Sequence, residues 1–150
     1  VMTGYLNNPE ATASTIDSDG WLHTGDIGLM DENGYVFLMD RSKDMIVSGG
    51  ENIYPREVEE VFARHPAVRE VVVIGVPDPQ WGEAIKAVVS LREGTSATED
   101  GLIAFCKDHI AGYKKPKSVD FVDEIPKSNY GKLLKREVRA KYWQDADRKI

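Results

Sequence analysis

The chain has 150 residues, 41% of them hydrophobic, and a formal net charge of −6, which suits one modest core with at most a smaller appendage. A single cysteine, Cys106, excludes an internal disulfide and a cysteine-based zinc cluster, and His23, His65 and His109 show no metal-ligand spacing. No long apolar run or signal-peptide pattern points to a transmembrane segment or to secretion, the lone cysteine suits a reducing cytoplasm, and so acidic a chain is a poor nucleic-acid binder.

The chain opens without an initiating Met, at Val1-Met2-Thr3-Gly4-Tyr5-Leu6, and we expect a piece of a longer protein. Residues 1–40 are dense in turn signals: Asn8-Pro9, Asp19-Gly20, Thr24-Gly25-Asp26 and Glu32-Asn33-Gly34. Asn33-Gly34 lies between two apolar runs, 27–30 and 35–39, so the pattern predicts a β-hairpin. One hairpin and a string of turns cannot build a core alone.

From Met45 the pattern becomes a compact alternation of strands and helices. A short apolar strand leads to a Gly49-Gly50 corner and then to a helix opening at Pro55. Glu57, Glu59 and Glu60 suit the positive end of that helix, Val58, Val61 and Phe62 share one face, and His65-Pro66 stops it. Residues 70–76 and 85–91 read as strands, and a helix capped near Thr98 follows, with Ile103, Cys106 and Ile110 as its inward stripe. Val119 and Phe121 mark a third strand, and a last helix is expected over 134–142. The sum is a small α+β sandwich of three strands and about three helices, preceded by a hairpin tail. Charge divides along the chain: residues 1–106 carry 7 basic against 18 acidic side chains, and residues 107–150 carry 12 against 7. The tail is therefore a candidate anion-binding surface or a solvated basic helix. Cys106, in an apolar run, reads as a small buried hydrophobe.

Four places offer chemistry. Asp26, in Gly20-Trp21-Leu22-His23-Thr24-Gly25-Asp26, presents two acceptors that suit a pair of sugar hydroxyls or an Asx-turn. Arg41 and Lys43 place two cations in Asp40-Arg41-Ser42-Lys43-Asp44. Gly49 and Gly50 lack Cβ atoms, so their corner takes positive φ or admits a close neighbour. Lys132 ends a polar loop, Pro126-Lys127-Ser128-Asn129-Tyr130-Gly131-Lys132.

In order and spacing these motifs, with Gly49-Gly50-Glu51-Asn52-Ile53-Tyr54-Pro55, resemble the C-terminal part of the AMP-forming acyl-CoA synthetase superfamily. That superfamily includes acyl- and aryl-CoA ligases, luciferases and peptide-synthetase adenylation domains. The resemblance implies that residues 1–40 end a large N-terminal domain, 41–43 form a hinge carrying Lys43, and 44–150 form a mobile C-terminal lid. It implies that Asp26 and Arg41 bind ATP or AMP, that Lys132 is the catalytic lysine of adenylation, and that Gly49 and Gly50 line the passage for the CoA thiol. Trp81, Tyr113 and Lys115 match positions that border CoA. The substrates implied are a carboxylic acid, ATP with Mg, and CoA. Nothing here resembles the family's phosphate loop, its magnesium-associated glutamate or its acyl pocket, so we expect the chain alone to be inactive in adenylation. Asp40 stands where the family usually has glycine. The expected parent is a carboxylate–CoA ligase acting on a fatty acid, with an aryl-CoA ligase, a carrier-protein-linked adenylation enzyme, or a non-catalytic CoA or carrier-protein binding module as alternatives.

Overall fold

A computed structural model describes residues 1–143, and the chain falls into two compact units that divide between Lys43 and Asp44. The expected end of the second domain, at residue 150, lies outside the described residues.

The first unit holds α1 (Pro9–Thr15), β1 (Asp26–Met30) and β2 (Val36–Arg41). The expected hairpin is present and antiparallel, from Met30 opposite Val36 to Asp26 opposite Arg41. Asp31 organises its turn: one carboxylate oxygen accepts from the N–H groups of Asn33 and Tyr35, each at 2.9 Å, while Gly34 takes φ +84°. A bulge after Ile27 leaves Met39 as the extra residue of β2. Helix α1 is an addition to the expected elements. Asn8 caps it by accepting from the Ala11 N–H at 3.0 Å, but it spans 7 residues and buries none, so no apolar stripe announces it. No residue of the first unit is buried, as expected of one hairpin with turns, and Leu29, Met30, Val36, Phe37 and Leu38 stand exposed.

The second unit contains β3 (Ile46–Ser48), β4 (Glu51–Ile53), α2 (Pro55–Ala63), β5 (Val68–Asp78), β6 (Gly82–Leu91), α3 (Glu99–Lys107), β7 (Ser118–Phe121) and α4 (Lys135–Ala140). The mixed α/β class holds, but the expected three-stranded sheet has five strands. The short apolar strand expected before Gly49 is β3, which joins the sheet, and the addition is β4, its hairpin partner, which reads as polar because only Ile53 of it is buried. Strand β5 pairs with β6 along its length. The other edge of β6 is shared, by β3 at Ser48 opposite Gly82 and by β7, which runs parallel to it from Lys86 opposite Ser118.

Alternation along β5 and β6 sends side chains to two cores. Val71, Val73, Ile85, Ala87 and Val89 pack with Val58, Val61 and Phe62 of α2 and with Leu102 and Cys106 of α3. Val72, Ile74 and Val88 pack on the opposite face with Ile125 and with Val138 of α4. Each fully buried Val, Ile or Leu contributes about 1.5–3 kcal/mol, so this double layer holds the unit together. Thr98 caps α3, accepting from the Gly101 N–H at 3.1 Å. The inward residues of α3 are Leu102 and Cys106, whereas Ile103 and Ile110 pack only at the margin. Burial pushes the Cys106 thiol up to about 11, against the opposing charge of Lys115, so it is a neutral core group.

The acidic residues of α2 have particular partners. Glu57 holds Lys114 at 2.7 Å, a hydrogen bond that raises the lysine's pKa. Glu59 pairs with Lys135 at 2.9 Å and accepts from the Val73 N–H at 2.8 Å on the free edge of β5. Arg56 and Glu60 form an exposed pair one helical turn apart.

Candidate functional site

In the first unit the hairpin brings Asp26 and Arg41 together as its last cross-strand pair, with Arg41 Nε 3.0 Å from Asp26 Oδ1. Asp26 is the first residue of β1 rather than a turn residue. It follows Gly25 at φ +74°, and its N–H donates to Thr24 Oγ1 at 3.1 Å. Behind the pair, the Ser42 N–H donates to the Gly25 carbonyl at 2.8 Å, and Asp40 Oδ1 accepts from the Arg41 N–H at 2.8 Å. Both side chains remain partly exposed, and a surface pair of this kind is worth about 0–1 kcal/mol. It is therefore cheap to re-partner, the carboxylate with hydroxyls and the guanidinium with phosphate. Lys43 is exposed on a 3₁₀ turn, Ser42–Asp44.

In the second unit Gly49 and Gly50 are the two-residue turn joining β3 to β4, with φ +61° and +86°. Positive φ at both positions is the preferred hairpin geometry and suits glycine. Their surroundings differ. A Cβ on Gly49 would lie 2.6 Å from Trp81 Cε3, whereas one on Gly50 would meet nothing within 4 Å. The Gly49 N–H donates to the Trp81 carbonyl at 3.0 Å, so the turn and Trp81 form one structure.

Trp81 sits on the β5–β6 turn, which Asp78 organises by accepting from the N–H groups of Trp81 at 2.8 Å and Gln80 at 2.9 Å. These bonds, the one from Trp81 foremost, hold the Asp78 carboxyl below its ordinary range. What they contribute is present above pH about 4 and lost as the carboxylate protonates in acid. Trp81 is 41% exposed, and Lys117 Nζ lies 5.0 Å from its ring centroid and 4.0 Å from Asp78 Oδ2. Lys117 was not among the expected site residues. It joins the turn because β7 lies beside β6, a parallel pairing across a long connection that local patterns do not announce. Tyr113 and Lys115 stand on the connection before β7, Tyr113 exposed and Lys115 half-buried. Among the described residues neither hydrogen-bonds nor ion-pairs with Gly49, Gly50 or Trp81.

Lys132 closes a compact loop. Ser128 folds it: its N–H donates to the Lys132 carbonyl at 2.8 Å, its carbonyl accepts from the Gly131 N–H at 2.9 Å, and its Oγ accepts from the Lys132 N–H at 3.2 Å. Gly131 takes φ +79°, and Tyr130 at the tip is 98% exposed. The base is fixed by Lys127, which pairs with Glu70 of β5 at 2.7 Å, and by Leu133, which packs on the second core. The Lys132 side chain is exposed, and among the described residues its ammonium has no ion-pair partner. A loop braced by Ser128 thus presents a cation that is unpaired among the described residues.

The Lys132 loop and the Gly49-Gly50 turn occupy opposite ends of the sheet. The loop is anchored at Glu70 and the turn stands beside Asp78, on the order of 26 Å apart along β5 at ~3.3 Å per residue.

Comparison with known proteins places the chain in a family. Residues 57–132 match the family model described as the AMP-binding enzyme C-terminal domain. The chain is 51% identical over 139 residues to the long-chain-fatty-acid–CoA ligase of Salmonella typhimurium, covering 93% of this chain and 24% of that one. It is also 51% identical over 142 residues to a feruloyl-CoA synthase of an Amycolatopsis species, covering 95% of this chain and 29% of that one. Among solved structures, ATP-bound MatB from Rhodopseudomonas palustris superposes with a TM-score of 0.87 at 38% identity, over 99% of this chain and 29% of that one. The chain thus spans about a quarter of the length of the curated relatives it matches. On the match to its second unit, with the sheet and helices that carry it, the chain belongs to the family of AMP-binding enzyme C-terminal domains.

Proposed function

We propose that the chain is the C-terminal part of an ATP-dependent, AMP-forming carboxylate–CoA ligase, in which the second unit serves two chemical steps with its two ends. The observation that carries this reading is the pairing of a free ammonium on a braced loop at one end of a sheet with a side-chain-free turn at the other. In the first step a carboxylate attacks the α-phosphate of ATP, so two anions meet while charge grows on the departing pyrophosphate. Lys132 supplies a flexible cation that bridges them and stabilises that charge in a water-excluded cleft. Asp26 accepts from the ribose hydroxyls of the nucleotide, and Arg41, released from Asp26, reaches toward its phosphate. Magnesium comes with ATP as part of the substrate.

In the second step the CoA thiol must reach the acyl-adenylate. Gly50, with open space where a Cβ would be, leaves the path clear, and Gly49 packs the turn onto Trp81. Tyr113, Lys115 and the cation–aromatic pair of Lys117 and Trp81 form the border on which the rest of CoA lies. Lys43 is the hinge on which the lid turns from one step to the other. We place the enzyme in the cytoplasm, where ATP and CoA are available; among the described residues no helix is long and apolar enough to cross a membrane.

The long-chain fatty-acid ligase and the feruloyl-CoA synthase match this chain equally well. The similarity therefore supports the carboxylate–CoA chemistry without choosing the acyl group, for which a fatty acid is our first proposal. The test is AMP release and thioester formation by the full-length protein, given ATP, CoA and either palmitate or ferulate. Residues 1–150 alone, which hold no recognisable phosphate loop, should show no acid-dependent pyrophosphate exchange. Robust exchange by this chain, or a full-length protein that forms no thioester with any carboxylate, would overturn the reading.

A further inference from the structure

Strand β3, which carries the Gly49-Gly50 turn, is weakly attached. Its three residues pair with β4 and meet β6 at one position, Ser48 opposite Gly82. One step further along, Val47 faces Glu83, but the Val47 N–H finds no strand carbonyl there. It donates at 3.2 Å to Oε2 of the Glu83 side chain. The carboxylate takes the place of a missing rung in the ladder.

Glu83 is only 5% exposed, which is unusual for a carboxylate and needs a cation beside it. Arg139 of α4 provides one, with Nη2 3.1 Å from Oε1, and lies against the ring of Trp143. The Trp143 Nε1–H donates to the Gly75 carbonyl at 2.9 Å. Gly75 makes the room, since a Cβ there would stand 2.5 Å from Glu83 Oε2. A buried charge, a cleared space and a helix brought across the sheet thus converge on one backbone N–H beside the turn.

We propose that Glu83 and Arg139 are positioning residues for thioester formation: a buried bracket that fixes the Gly49-Gly50 turn and ties it to the helix following the Lys132 loop. This rests on the reading of that turn as the passage for the thiol. The bracket needs two acceptors at once, one oxygen for the Val47 N–H and one for Arg139. A carboxylate has both, whereas the amide of glutamine has a single oxygen and turns a donor toward one of the two donors.

Four variants test it. Glu83→Gln keeps the shape but not the second acceptor. Glu83→Leu combined with Arg139→Met replaces the ion pair by apolar groups, which buried sites commonly tolerate. Arg139→Lys keeps the cation and should behave as wild type, and Gly50→Leu reports on the passage itself. Hydrogen exchange of the amides over 47–52, measured on residues 1–150, should speed up by about tenfold in the first two variants, as expected for one lost hydrogen bond, with the central amides of β5 and β6 unchanged. In the full-length protein the same two variants should slow attack of CoA on supplied acyl-AMP by about 10–10²-fold through misplacement of the turn, while pyrophosphate exchange stays near wild type.

Unchanged exchange over 47–52 overturns the proposal, whatever the chain's activity. Equal losses in both half-reactions with a lowered thermal midpoint also overturn it, because they indicate a purely structural ion pair. So does faster exchange with normal thioester formation where Gly50→Leu blocks that step. If Gly50→Leu itself leaves thioester formation intact, the passage reading fails, and the exchange measurement still decides whether Glu83 and Arg139 hold the turn.

Discussion

Lys132→Ala in the full-length protein is expected to lower adenylation by about 10²–10³-fold, the scale of one lost electrostatic donor to a developing charge. Attack of CoA on supplied acyl-AMP should proceed at its normal rate. The separation follows from the position of the lysine at the end of the sheet away from the Gly49-Gly50 turn. Folding should be almost unaffected, within about 0.5 kcal/mol, because the side chain is exposed and has no ion-pair partner among the described residues. Acid-dependent pyrophosphate exchange and single-turnover thioester formation, measured beside the thermal midpoint, check all three expectations. Equal damage to both half-reactions in a normally stable protein would end the assignment of one step to each end.

Gly50→Leu should give the opposite pattern, with thioester formation slowed by about 10²-fold or more and adenylation preserved. The backbone contribution must be separated from the obstruction, since φ +86° costs a residue with a side chain about 1–2 kcal/mol. Gly50→Asn provides the control, because asparagine tolerates that conformation and is smaller than leucine. A thiol rate that falls with leucine much further than with asparagine, at matched thermal midpoints, supports a passage. Equal losses point to the turn's conformation alone. Gly49 cannot serve in this experiment, because any side chain there strikes the Trp81 ring before it reaches open space.

Much of the second unit was legible because its elements bury apolar faces with clear periods. The stripe of Val58, Val61 and Phe62, the apolar run of β5 and the Thr98 cap each announced themselves locally, and each is where expected. What the sequence hid was partnership over distance. Glu83 and Arg139 are 56 positions apart, and neither carries a local sign that it belongs in the interior. The acidic residues of α2 read as complements to the helix dipole, yet Glu57 and Glu59 are held by Lys114 and Lys135. Strand β4 was missed because Glu51 and Asn52 are exposed and only pairing with β3 makes them a strand. The corner at Gly49-Gly50 and the loop before Lys132 were visible from residue types, whereas the contact of Gly49 with Trp81 and the approach of Lys117 needed the sheet's register.

The Glu59 carboxylate on the Val73 N–H bears on the solubility of the chain. Strand β5 is an outer strand, and its centre, Val71-Val72-Val73-Ile74, is apolar, β-branched, uncharged and free of proline. Such a stretch invites a second molecule to add its own strand and start a fibril. With α2 laid over that edge and a carboxylate already occupying its central donor, an incoming strand would have to displace a charged group that Lys135 also holds. Glu59 therefore hinders strand addition at this edge from a neighbouring helix rather than from within the strand itself.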